Sequence, residues 1–174
     1  MDEASDQTTH RRILDFVTTH PGASAREVQR SLSLGWGQTA YHLEHLLQDS
    51  LLIRERAGHR DYYFTVNFRA EDRRILVVFQ SPVERRLVLL LTQKPGLSFS
   101  ELADQLHMGK STLSFHLKFL LAVGVVGLSS TDRVRRYHAE QPDRVWDLYR
   151  MHRKSWGDRW IEGFDLVFSI LMRD

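Results

Sequence analysis

Apolar positions along the chain fall into short helical stripes, and each set of stripes is followed by two short strand-like runs. From His10, residues Ile13, Leu14, Phe16 and Val17 mark one helical face, which His20-Pro21-Gly22 terminates. Ser24, with Glu27 three residues on, has the form of a capping box, and Val28 and Leu32 give the helix behind it an inward side. Gly35-Trp36-Gly37 reads as a turn, and a third helix opens at Gln38 with Leu43, Leu46 and Leu47 inward. Leu51 to Arg56 and Asp61 to Val66 then read as strands around Ala57-Gly58-His59-Arg60.

The same order returns downstream. Ser98 or Ser100 caps a short helix with Leu102, Ala103 and Leu106 inward, and Gly109 sits in the turn after it. Lys110 to Val126 follows, with small hydroxylated residues at the start and Leu113, Leu117, Leu120 and Leu121 on one face. Gly124 suits a left-handed closing position. Val125 to Leu128 and Val134 to Ala139 read as strands around Ser129 to Arg133.

The two halves align without a gap from His10 to Phe64 when one is shifted by 74 residues. Pro21-Gly22 falls on Pro95-Gly96, Ser24 and Glu27 on Ser98 and Glu101, Gly35 on Gly109, His42-Leu43 on His116-Leu117, and Tyr63 on Tyr137. Roughly fourteen of about fifty-five paired positions are identical, against about three by chance. The expected architecture is mainly α with small β wings (α+β): two tandem winged helix-turn-helix domains plus a C-terminal helical tail. The domains are expected at 9–68 and 82–141, with residues 1–8 a disordered acidic start, 69–81 a linker and 142–174 the tail. A helix is expected within the linker, and Pro82 suits a first helical turn.

The tail carries one stripe of Val145, Leu148, Tyr149 and His152. A second stripe holds Trp156, Trp160, Ile161, Phe164, Val167, Phe168 and Leu171, with a break expected at Gly157. Its six bases balance six acids, so it is no clamp for an anion. Packing over the second domain and dimerisation through Trp156, Trp160, Ile161, Phe164, Phe168 and Leu171 are both open readings.

Composition narrows the field. The 174 residues include no cysteine, which excludes disulfides and thiolate-bound metal. No apolar run reaches the ~18 to 20 residues of a membrane span, and the polar N-terminus is unlike a signal peptide, so a cytoplasmic chain is expected. Net charge is +2, but it is unevenly spread. Residues 8–68 hold seven bases and six acids (+1), and residues 82–141 hold eight bases and five acids (+3). The second copy is therefore the expected DNA reader. Its candidate contacts are Lys110, Ser111, Thr112, Ser114, Phe115 and Lys118 on the helix front, and Arg133, Arg135 and Arg136 on the wing.

In the first copy Trp36, Gln38, Tyr41, Glu44 and His45 face outward. Gln38 suits adenine and Tyr41 a phosphate, with Arg56 and Arg60 on the wing, whereas Glu44 repels phosphates. His42 and His45 lie one turn apart, but no third ligand has a claim on the same place, so no metal and no cofactor are expected. No phosphate-binding Gly loop, triad spacing or paired carboxylate points to an enzyme.

The segment Ser111-Thr-Leu-Ser-Phe-His-Leu-Lys-Phe-Leu-Leu-Ala-Val-Gly-Val-Val resembles the recognition helix of winged-helix proteins of the arsenical-repressor and multiple-antibiotic-resistance-repressor type. Their pattern is Ser-x-x-Ser-x-His-Leu-x-x-Leu-x-x-x-Gly followed by two hydrophobic residues. Over residues 10–174 the chain resembles archaeal transcriptional regulators with two such domains. The resemblance implies a homodimeric regulator that binds double-stranded DNA, with the recognition helix in the major groove and wing arginines on the backbone. Phe115 and Phe119 depart from it, standing where many relatives carry Arg or Lys. Those aromatic fronts, Glu44 and the small net charge leave a second reading open: a protein–protein interaction scaffold of tandem winged helices, with a protein partner in place of DNA.

Overall fold

The computed structural model describes residues 3–131 and 134–157. The chain divides into two compact units, Met1–Val77 and Val78–Asp174.

The first unit runs α1 (Glu3–Thr19), β1 (Ala23–Ser24), α2 (Ala25–Leu32), α3 (Trp36–Gln48), β2 (Leu52–Ala57) and β3 (Arg60–Thr65). Ser24 caps α2 as its composition requires: its Oγ accepts from the Glu27 N–H, and its own N–H donates to Glu27 Oε2 at 2.8 Å. The three helices close over Ile13, Val17, Val28, Leu43 and Leu46, joined from the sheet by Ala23, Leu52 and Tyr63. Each such fully buried aliphatic contributes about 1.5–3 kcal/mol. The sheet order is β1-β3-β2, all antiparallel, with Tyr63 between Ala23 and Arg54.

α4 (Ala70–Phe79) spans the boundary between the units. Its first half is fastened to the first unit's wing. Arg73 Nε lies 3.0 Å from Glu55 Oε2 on β2, and Arg73 Nη1 donates to the Phe68 carbonyl at 2.7 Å.

The second unit repeats the plan with α5 (Pro82–Gln93), β4 (Leu97–Ser98), α6 (Phe99–Leu106), α7 (Lys110–Val123), β5 (Val126–Thr131) and β6 (Val134–Ala139). Nearly every boundary falls 74 residues after its counterpart. The backbone repeats in finer detail too. Ser33 (φ 54°) and His107 (φ 49°) are both left-handed ends of the short helix, and Ser50 (φ 56°) matches Gly124 (φ 76°). In both units the glycine after the proline donates to the carbonyl of the sheet tyrosine, Gly22 to Tyr63 at 2.9 Å and Gly96 to Tyr137 at 2.8 Å.

α8 (Pro142–Gly157) follows the second wing. Val145, Leu148 and Tyr149 are buried, and the helix packs on α5. Arg85 of α5 is itself buried and donates to the Phe79 carbonyl at 2.8 Å, and Tyr149 meets the Phe79 ring edge-on. Burial lowers the Arg85 pKa from its ordinary value, with Tyr149 opposing, and burial raises that of Tyr149.

Several expectations are corrected. Residues 3–8, expected to be disordered, form the opening turns of α1. Thr9 is buried there, and nothing in that stretch breaks a helix. α3 starts at Trp36, so Gly35 is the cap and Trp36 and Gly37 are helical rather than in a turn. α7 is capped by Gly109 with no side-chain bond, so Ser111 and Thr112 lie within its first turn and do not cap it. β2 and β3 have bounds one residue off those expected and meet around Gly58-His59, and β5 extends to Thr131.

Candidate nucleic-acid interface

α7 is amphipathic by placement. Leu113, Leu117 and Leu120 are fully buried, which fixes the helix rotation and leaves Lys110, Ser111, Thr112, Phe115 and Lys118 exposed, with Ser114 half-buried. Phe115 is 69% exposed, a large apolar group on an otherwise hydroxyl-and-lysine front. Among the described residues neither Lys110 nor Lys118 is paired with a carboxylate. Leu121 and Phe119, at the margins of the buried stripe, are half-buried.

The position of α7 is set from behind by His116. Its Nδ1 stands 2.7 Å from Oε1 of Glu84 in α5, a carboxylate only 7% exposed. This contact was not legible in the sequence as a pair, although Glu84 is the position that matches His10.

The wing presents Arg135 freely and Arg136 in part. Arg135 is exposed, opposite Ser130. Arg136 points back: its Nη1 donates to the Gly96 carbonyl at 2.8 Å and lies 3.7 Å from Glu101 Oε2. Arg136 therefore ties β6 to the start of α6 rather than standing free. Arg133 lies outside the described residues, as do Trp160, Ile161, Phe164, Phe168 and Leu171. Trp156 falls in the last turns of α8.

In the first unit Gln38 and Tyr41 are exposed on α3, and Arg56 and Arg60 are exposed on the wing. Glu44, which occupies the place of Lys118, lies 3.6 Å from Arg54 of β2. Tyr41 leans on His45 at 4.3 Å, and His10 meets the rings of His42 at 4.6 Å and His45 at 5.9 Å. Among the described residues no group of three or more His, Asp or Glu side chains is arranged to hold a metal ion. No helix among them is long and apolar enough to cross a membrane.

Residues 7–76 match a family model described as an N-terminal HTH domain, and residues 81–127 match the bacterial regulatory protein, arsR family. The chain carries two helix-turn-helix domains. The first is built on α1 to α3 with the β2–β3 wing, the second on α5 to α7 with the β5–β6 wing. The chain is 23% identical over 118 residues to an uncharacterized HTH-type transcriptional regulator of Methanocaldococcus jannaschii, covering 68% of this chain and 30% of that protein. It thus spans less than a third of that relative's length. Among solved structures it is similar to an ArsR-like transcriptional regulator from Rhodococcus sp. RHA1, with TM-score 0.39 and 22% identity over 59% of this chain and 91% of that one. It is also similar to the zinc-responsive MarR family member ZitR of Lactococcus lactis, with TM-score 0.33 and 15% identity over 78% of this chain and 92% of that one.

Proposed function

We propose that the chain is a DNA-binding transcriptional regulator whose second HTH domain reads the site. α7 enters the major groove with Ser111, Thr112, Ser114 and Phe115 toward base edges, and Lys110, Lys118 and Arg135 hold phosphates. The observation that carries this is the rotation of α7. Its leucines are buried, while two lysines and the hydroxyl groups of Ser111 and Thr112 are exposed, with Ser114 half-buried beside them, on a helix wide enough to fill that groove. Phe115 supplies an apolar contact, which suits a thymine methyl. The first HTH domain adds Gln38 and Tyr41 from α3 and Arg56 and Arg60 from its wing. The tail beyond α8, with Trp160, Ile161, Phe164, Phe168 and Leu171, and Trp156 just before it, joins two copies and so sets the spacing of half-sites.

Selection of duplexes from a random-sequence library by the full chain tests the reading. An enriched motif bound more tightly than its scrambled form, and weakening steeply with salt, is the expected result. No enrichment and no binding at low salt would overturn it in favour of a protein partner.

A further inference from the structure

The two HTH domains share one fold, so residues common to both are accounted for by folding. Positions where they differ in charge carry what is particular to each. The sharpest such difference lies on the helix before the recognition helix. In the first domain Arg26, Gln29 and Arg30 of α2, with Trp36 at the start of α3, line an open cleft of about 550 Å³. The positions 74 residues later hold Ser100, Ala103, Asp104 and Lys110. α2 carries two arginines and one glutamate, whereas α6 carries only acids, Glu101 and Asp104.

Nothing in the packing of the first domain asks for these residues. Trp36 is 54% exposed and stands between Gly35 and Gly37, where an added Cβ would meet no atom within 4 Å. Among the described residues neither Arg26 nor Arg30 has a carboxylate partner. Arg30 Nε donates to the Arg26 carbonyl at 3.3 Å, which lays its guanidinium along the helix. Two other arginines of the same unit do have carboxylate partners, Arg54 with Glu44 and Arg73 with Glu55. Two exposed guanidinium groups with no carboxylate partner among the described residues, one helical turn apart and beside an exposed indole, match a run of phosphates with a sugar between them. A phosphate grip carries no sequence information.

We infer that the Arg26–Arg30–Trp36 cleft is a sequence-independent clamp on the phosphate backbone of duplex DNA. The domains thereby divide the labour: the first holds the backbone, and the second, whose α6 has an acid in place of Arg30, reads the bases. This rests on the DNA-binding reading above.

The test compares the full chain with Arg26→Ser/Arg30→Gln. Binding is measured by anisotropy over a range of salt, on the library-selected duplex and on an unrelated duplex of equal length. Serine already stands at the matching position 100, so the fold tolerates it there, and Arg26→Lys/Arg30→Lys serves as the charge-keeping control. The clamp predicts that the slope of log affinity against log salt becomes shallower by about 1.8 on both duplexes. The ratio of the two affinities stays unchanged, and the lysine control keeps the original slope. Trp36→Ala weakens both duplexes alike without changing the slope. An unchanged slope in Arg26→Ser/Arg30→Gln, with the wild type bound, overturns the clamp alone. A collapsed affinity ratio would mean that the arginines read bases, and also overturns it. A wild type that binds neither duplex overturns the DNA-binding reading and the clamp with it.

Discussion

Glu84 and His116 lie 2.7 Å apart at the two positions that His10 and His42 hold in the first domain, where the rings meet edge-on at 4.6 Å. One framework thus tethers its recognition helix by a carboxylate–imidazole contact in one copy and by edge-to-face imidazoles in the other. Glu84 is 7% exposed, so His116→Ala leaves a carboxylate in a site with little water. The expected loss is about 3 kcal/mol of unfolding free energy. Glu84→His, which copies the first domain, is expected to cost less. Urea denaturation of the two variants checks the order, and equal losses would contradict it.

Among the described residues three non-glycine residues sit at positive φ, and two repeat the same helix end. A left-handed L-residue costs about 1–2 kcal/mol, partly offset by the chain entropy that glycine adds. Ser33→Gly, Ser50→Gly and His107→Gly should each stabilise by about 0.5–1 kcal/mol. Gly124→Ala should destabilise by about 1 kcal/mol. An added Cβ there meets nothing within 4 Å, so backbone conformation alone is responsible. Thermal melts read the sign at each position.

The α6 capping box makes the second domain sensitive to acid. The Glu101 pKa is held below its ordinary 4.5, first by its hydrogen bonds with the Ser98 side chain and backbone and then by Arg136. A carboxylate with a depressed folded pKa contributes stability that is present above its unfolded value and lost as pH falls through the folded one. Tm should therefore fall as pH drops below about 4.5, and Glu101→Gln should flatten that limb. Ser98→Ala should cost about 1 kcal/mol at neutral pH.

Glu44 occupies the place of Lys118 and holds Arg54 at 3.6 Å. Glu44→Lys removes a charge that repels phosphate, adds one that attracts it and releases Arg54. Affinity for DNA should rise, and the salt slope should steepen by about 0.9 or more. An unchanged affinity and slope would place the α3 front away from the duplex.

The repeat made the fold readable, because Ser24 with Glu27 and Ser98 with Glu101 announce helix starts and the spaced leucines announce their faces. The α7 front was readable for the same reason: Leu113, Leu117 and Leu120 leave only one way to turn that helix. What the sequence did not disclose depends on contacts between distant residues. β1 and β4 are two residues each, too short for any alternation to register, and exist only through pairing with Tyr63 and Tyr137. Arg136 looked as available as Arg135, because only the closed sheet brings the Gly96 carbonyl within 2.8 Å of it. The N-terminal turns of α1 were polar enough to pass for a loose end, and the buried side of Thr9 became visible only in the packed helix.

If α7 and the second wing form the DNA contact, Lys118 and Arg135 both lie against phosphates. The most direct measurement is the affinity of Lys118→Ala/Arg135→Ala for the library-selected duplex across salt, beside the wild type. Both groups are exposed and outside the core, so the fold is expected to survive. Weaker binding and a slope shallower by about 1.8 are expected. Wild-type affinity and slope in this variant would contradict that contact.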